Sequence, residues 1–267
     1  MRIEALTVLG GRGKDGEPEP VAEVTLEMGN VISVVGPTGS GKTALINDVE
    51  LLADANTPSG RRILINGAAP PEDVVNSPDA NPVAMITQHT NFLSDLPVEA
   101  FLTTHARVRD SGNAASAVGA TLEFANQLTG EPIIPTSAMT ELSGGQTRAL
   151  LIADAVVIGN SPIILLDEIE NAGIHRTRAV ELLKDYEKIF IFVTHDPRIA
   201  LLSDFRLVMR GGAMRKLIVT ESDEKRVGEE IKKLDDLMLG LRASIRAGER
   251  LSTRQLDERL RSLGYIA

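Results

Sequence analysis

The chain has 267 residues, 43% hydrophobic and 24% charged, enough for one or two soluble domains with a large buried core. Its net charge of −9 and pI of about 5.1 disfavour a sequence-independent surface for nucleic acid, so no nucleic-acid partner is expected. Zero cysteines exclude disulfides and thiolate metal ligation and fit a reducing compartment.

Residues 1–30 alternate weakly between apolar and polar. Ile3, Ala5, Thr7 and Leu9 mark one strand and Val21 to Met28 another, with the loop signal Gly10-Gly11-Arg12-Gly13-Lys14-Asp15-Gly16 between them. The start, Met1-Arg2-Ile3-Glu4, does not open a signal-peptide apolar region. No apolar run approaches the ~20 residues of a membrane helix, so any span is expected from another chain.

The run Val31-Ile32-Ser33-Val34-Val35 predicts a buried strand, and Ala44-Leu45-Ile46 opens a helix reaching about Ala53. Between them, Gly36-Pro37-Thr38-Gly39-Ser40-Gly41-Lys42-Thr43 is G-x-x-x-x-G-K-T without departure. Gly36, Gly39 and Gly41 let the backbone approach oxyanions, and the following helix adds its positive end. In such a loop Lys42 reaches the β- and γ-phosphates of a nucleotide and the Thr43 hydroxyl ligates Mg²⁺. The alternative is a glycine-rich turn that only happens to match.

Downstream the pattern predicts a strand at 62–65, a Pro-rich loop and a strand ending at Thr87. Residues 90–141 are rich in Ala, Thr and Leu and read as helices. The α/β pattern resumes with a helix from about Gly144, a strand at 162–166, a helix at 176–185, a strand at 188–193 and strands near 205–220. Residues 221–267 differ, with ten acidic and ten basic side chains. Val227, Ile231, Leu234, Leu237/Met238, Leu241 and Ile245 recur at helical spacing, and Ser252 with Gln255 makes a capping box for a last helix. This segment either packs on its own core or meets a partner.

Four further signals fall in order. Gln88 follows the strand Val83-Ala84-Met85-Ile86-Thr87. Leu142-Ser143-Gly144-Gly145-Gln146 opens a helix. Ile163-Ile164-Leu165-Leu166-Asp167-Glu168 is an apolar strand ending in two carboxylates, and Phe192-Val193-Thr194-His195-Asp196 is one ending in a histidine.

With these residues the sequence resembles the ATP-binding cassette (ABC) ATPases over about residues 1–220. The resemblance implies an α/β fold of the P-loop NTPase type, with a parallel-sheet core, an N-terminal antiparallel sheet and a helical subdomain at about 90–141. Residues 221–267 then form a C-terminal helical extension. It also implies a head-to-tail homodimer, or a heterodimer with another ABC subunit, with two ATP molecules sandwiched between chains.

Each residue takes a role under that resemblance. Gly36 to Thr43 cradle the phosphates, and Asp167 holds Mg²⁺ through its water shell, placed at a strand end where doubly wound folds put ligand groups. Glu168 is the base that orients or deprotonates the attacking water. His195 contacts the γ-phosphate, and Gln88 reaches Mg²⁺ and water. Ser143, Gly144 and Gly145 cap the γ-phosphate held by the other chain.

Three departures from the family stand out. Residues 1–35 hold no Phe, Tyr or Trp to stack on adenine, leaving Arg12 or Leu9 for the base. Asn171-Ala172-Gly173-Ile174 replaces a segment that usually reads like Ser-Ala-Leu-Asp, with Glu170 as an added carboxylate. Asp154 stands where an arginine is usual, with Arg148 as the candidate to compensate.

The function favoured is the ATP-binding subunit of a membrane transporter, cytoplasmic or peripheral at the inner face, working with a separate membrane subunit. The alternative is a soluble ABC ATPase that assembles or remodels a cytosolic client, for example in metal-cofactor or iron–sulphur assembly. Glu168, His195 and the acidic balance oppose a third class, a non-hydrolysing regulatory or nucleic-acid-associated module.

Overall fold

The computed structural model describes residues 2–77, 80–87, 89–109, 114–168 and 176–266. The chain divides into two units, Met1–Val219 and Thr220–Ala267.

In the first unit β1 (Ala5–Leu9) pairs antiparallel with β2 (Glu23–Glu27) and, on its other edge, with β4 (Arg62–Ile65). The inward face is that of the even-numbered residues, whereas the odd-numbered set marked in the sequence leaves Ala5 and Leu9 half-buried. Leu6 and Val8 lie opposite Leu26 and Val24 and turn inward with them. Thr7 and Thr25 take the other face and share a hydroxyl hydrogen bond of 2.9 Å.

The second sheet has the order β5 (Val83–Ile86), β6 (Ile163–Asp167), β7 (Ile189–Val193), β3 (Val31–Val35), β8 (Phe205–Arg210), β9 (Ala213–Val219). The first five are parallel and β9 turns back antiparallel on β8. The middle strands are near-continuous apolar runs because both faces are covered. Ile164, Leu166, Phe190 and Phe192 face one core, toward the helices. Ile163, Leu165, Ile189 and Ile191 face another, shared with β1, β2, β4 and α1 (Lys42–Glu50). Full burial of Phe190 or Phe192 contributes about 1.5–3 kcal/mol each.

Helix α2 (Glu72–Asn76) is a single turn inside the expected Pro-rich loop. The helical region holds α3 (Val98–Arg109) and α4 (Ala114–Leu128), then a 3₁₀ turn at Met139–Glu141. Its entry and exit are tied together: Val98 donates to the Ser137 carbonyl and Met139 to the Leu96 carbonyl, both at 3.0 Å. Helix α4 packs on α3 and on α5 (Gly144–Val157). Helices α6 (Arg176–Lys184) and α7 (Pro197–Leu202) complete the unit. The sequence reading held no helix at 197–202. The signal was present, since Asp196 caps it and Pro197 occupies its first turn.

The second unit is α8 (Ser222–Arg246) followed by α9 (Thr253–Ser262). The expected capping box forms: Ser252 Oγ accepts from the Gln255 N–H at 3.3 Å, and Gln255 Oε1 accepts from the Ser252 N–H at 2.9 Å. Arg259 reaches Ser244 Oγ at 3.3 Å, and the Tyr265 hydroxyl reaches Glu230 Oε2 at 3.0 Å, which folds the two helices into a hairpin. They enclose no apolar core of their own: in α8 only Gly228 and Ser244 are buried, and in α9 nothing is. The periodic apolar positions Val227, Leu234, Met238 and Ile245 stay exposed because one hairpin offers no second layer to cover them.

Candidate functional site

Strand β3 ends at Val35 and α1 begins at Lys42, so the phosphate-loop residues Gly36 to Gly41 bridge a buried strand and a helix N-terminus. Two of its glycines are required by close approach. A Cβ on Gly36 would lie 2.3 Å from the Met209 carbonyl oxygen. One on Gly41, at φ 100°, would lie 2.8 Å from Gly212 Cα. Pro37, Thr38 and Gly39 form the exposed crest of the loop, and Ser40 is buried with its hydroxyl lacking a hydrogen-bond partner among the described residues. Lys42 is buried, with its ammonium donating to the Gly36 carbonyl at 2.9 Å and the Pro37 carbonyl at 3.3 Å. Thr43 is exposed at the mouth of the helix.

Sheet order brings the other groups to the same edge. Because β6, β7 and β3 are parallel neighbours, their carboxyl ends lie side by side. Asp167 is the last residue of β6. Glu168 follows at φ +50°, with its N–H donating to the Val193 carbonyl at 3.0 Å. His195 lies two residues past the end of β7, with Nε2 3.5 Å from Glu168 Oε1. His195, Thr194, Gly36 and Pro37 line one open cleft of about 390 Å³.

Arg206 lines the same cleft and was missed in the sequence. The signal was a cation between Phe205 and Leu207 in a mostly apolar strand. Lys14 was missed as well, and its Nζ donates to the Gly39 carbonyl at 3.0 Å.

Ser143 stands apart, as the N-cap of α5. Its Oγ accepts from the Gln146 N–H at 3.3 Å, and Gln146 Oε1 accepts from the Ser143 N–H at 3.0 Å. Ser143 and Gly144 are exposed and Gly145 is half-buried. Gln88 lies outside the described residues, as does the segment 169–175 that carries Glu170 and Asn171 to Ile174. The neighbours of Gln88 are described: Arg148, on α5, donates to the Thr87 carbonyl and reaches the Thr90 carbonyl at 3.5 Å. Burial lowers the Arg148 pKa. Asp154 pairs with His105 of α3 at 2.8 Å. Arg12 folds onto the Gly16 carbonyl at 3.0 Å, and Leu9 ends β1, half-buried.

Residues 21–171 match the ABC transporter family. The chain belongs to that family. It is an ABC-type ATPase, which binds and hydrolyses ATP. It is 49% identical over 252 residues to an uncharacterised ABC transporter ATP-binding protein of Methanocaldococcus jannaschii, covering 94% of this chain and 96% of that one. A thiamine import ATP-binding protein of Brucella suis is 31% identical over 202 residues, 72% of this chain and 79% of its own.

Among solved ABC structures, a dimeric ATP-binding cassette in a post-hydrolysis state with ADP and Pi has the same fold at a TM-score of 0.61. The identity is 19%, over 81% of this chain and 99% of that one. A component of an ABC transporter complex of Clostridium perfringens gives a TM-score of 0.64 at 20% identity, over 89% of this chain and 96% of that one. The α/β fold with its parallel-sheet core is thus that of the ABC ATPases. Among the described residues no helix is long and apolar enough to cross a membrane.

Proposed function

We propose that this ABC ATPase is the ATP-binding subunit of a membrane transporter, and that it hydrolyses ATP in sites shared between two head-to-tail chains, in a homodimer or with another ABC subunit. The observation that carries the chemistry is the edge where Gly36, Pro37 and His195 line one cleft and Glu168 sits 3.5 Å from His195. Phosphoryl transfer is catalysed mainly by positioned charge, and the charged groups gathered at this edge support that reading.

Each described group has a task there. The N–H groups of Gly36 and of Thr38 to Gly41, with the ammonium of Lys42, take the phosphates. Lys42 exchanges the carbonyls of Gly36 and Pro37 for phosphate oxygens, and the orphan hydroxyl of Ser40 gains a partner. Glu168 takes the proton of the attacking water, and His195 holds the γ-phosphate against it.

Thr43 and Asp167 offer a hydroxyl and a carboxylate, hard oxygen ligands that suit Mg²⁺. Among the described residues no group of three or more His, Cys, Asp or Glu could hold a metal by itself. Bound there together with the nucleotide, the ion would neutralise charge on the phosphates. Ser143, Gly144 and Gly145 hydrogen-bond the γ-phosphate of the other chain, which makes closure depend on ATP.

The transporter assignment is supported by the relatives. One is named for thiamine import, and one solved neighbour is part of a transporter complex. An affinity pull-down from native membranes and cytosol tests it. Recovery of a polytopic membrane protein supports the assignment, whereas recovery of soluble clients alone would overturn it in favour of an assembly ATPase.

A further inference from the structure

Behind the phosphate loop lies a cluster of charges that the reaction does not use. Arg61 is fully buried, and so is the Glu19 side chain. Arg61 Nε and Nη2 donate to the two oxygens of Glu19 at 3.0 and 2.7 Å. Nη1 donates to Asp48 Oδ2 at 2.8 Å, and Nη2 also donates to the Gly212 carbonyl at 2.8 Å. Burial pulls the guanidinium pKa down, but the hydrogen bonds and charges of Glu19 and Asp48 outweigh it and the pKa is raised.

A buried ion cluster is a weak source of stability, since well-packed apolar side chains of similar volume often do as well or better. What it supplies is direction, through a planar fork with fixed donor positions. Here the fork fixes three segments around the phosphate loop.

Asp48 lies on α1, the helix that begins with Lys42 and Thr43. Gly212 lies in the turn between β8 and β9, and its own N–H donates to the Ser40 carbonyl at 2.8 Å. Gly36 and Gly41 press on Met209 and Gly212 so closely that neither site has room for a Cβ. Glu19 carries the clamp further, accepting from Met214 N–H at 2.6 Å and Gly11 N–H at 2.8 Å. Lys14 closes it from outside: its N–H donates to the Gly211 carbonyl at 2.8 Å and its Nζ to the Gly39 carbonyl at 3.0 Å.

We propose that Arg61 is a positioning residue for nucleotide binding: it clamps the Gly211–Gly212 turn and α1 against the phosphate loop, holding the loop's N–H donors in the shape that receives phosphate. The inference rests on the phosphate-loop reading of Gly36 to Thr43. Arg61 touches no nucleotide. If the clamp loosens, the turn recedes, and the Ser40 carbonyl and the N–H groups beside it lose their fixed aim.

The test is the affinity for Mg·ADP, measured by calorimetry on full-length variants shown to be folded by cooperative melting. Arg61→Lys keeps the charge and loses the fork. It should weaken binding about tenfold or more, since a shift of ~1 Å in a positioned group can lose up to a hundredfold. Hydrogen exchange at the amides of Gly39 to Thr43 should quicken in the same protein.

Phe190→Leu, a core change at the other end of β7, should lower the melting temperature and leave Mg·ADP affinity within about twofold of wild type. Asp48→Asn, a milder change, should weaken binding about threefold, and it decides the matter if Arg61→Lys does not fold.

Wild-type affinity and unchanged exchange in folded Arg61→Lys would overturn the inference. So would a loss in Phe190→Leu that scales with its melting temperature. Lys42→Ala, measured alongside, separates the two readings. If it binds normally, the phosphate-loop reading fails. If it fails to bind while Arg61→Lys binds normally, only the clamp fails.

Discussion

Glu168 and His195 meet across the ends of two neighbouring strands, with His195 Nε2 3.5 Å from Glu168 Oε1. Glu168 makes this contact from φ +50°, a left-handed backbone that costs a non-glycine residue on the order of 1 kcal/mol. Glycine would sit there with less strain. That a carboxylate is held there, facing a histidine beside the phosphate loop, fits a residue kept for its chemistry.

Two substitutions separate chemistry from comfort. Glu168→Gln keeps the shape and one acceptor oxygen but cannot take a proton, and phosphate release at saturating ATP should fall about 10²–10⁴-fold. Glu168→Gly relieves the backbone and should lose turnover equally, with a melting temperature equal to wild type or higher. A lower melting temperature together with retained turnover would make Glu168 a structural residue.

For Lys42→Ala, calorimetry should show ATP affinity reduced by about a hundredfold and no turnover, because the only cation built into the phosphate-loop motif is gone. The fold should survive, since among the described residues Lys42 Nζ donates only to the Gly36 and Pro37 carbonyls. Equal ATP affinity would refute its role.

Lys188 gives a pH prediction away from the site. Its Nζ donates to Asn160 Oδ1 at 2.7 Å and the Ser161 carbonyl at 3.1 Å, and burial lowers its pKa from 10.5 to about 8. Unfolding therefore takes up a proton between those two values, so this group's contribution to stability rises with pH from about 8 toward 10.5. Below that window both states are protonated and the contribution is flat. The melting temperature of wild type minus that of Lys188→Met should be constant from pH 6 to 7.5 and grow by a few degrees, about 2–4 °C, by pH 9.5. A difference that stays flat across both ranges would show that the amine is not held at a lowered pKa.

The parts of the site legible in the sequence were those encoded locally. The phosphate loop, the strand ending in Asp167 and Glu168, and the strand leading to His195 each announce themselves within about ten residues, and parallel pairing of β3, β7 and β6 then aligns them. The Arg61 clamp was not legible, because its partners lie 13, 42 and 151 residues away. In the sequence Arg61-Arg62 is one polar pair at a strand start, and only the fold buries the first and exposes the second. The contacts of Arg148, the candidate to compensate for the arginine missing at 154, were not legible either. Arg148 ties α5 to the loop after β5, while Asp154 pairs with His105, because 148 and 154 are six residues apart and lie on different sides of α5.

The central claim is that ATP is held between two chains, by the phosphate loop of one and by Ser143 of the other. The most direct measurement is the solution mass of Glu168→Gln by size-exclusion chromatography with light scattering, with and without Mg·ATP. The account predicts a monomer that shifts to a dimer when ATP is added. Adding Ser143→Arg to the same chain should abolish the shift, because a bulky cation then faces a helix N-terminus that already disfavours positive charge. A mass that does not respond to ATP, or a shift that survives Ser143→Arg, would contradict it.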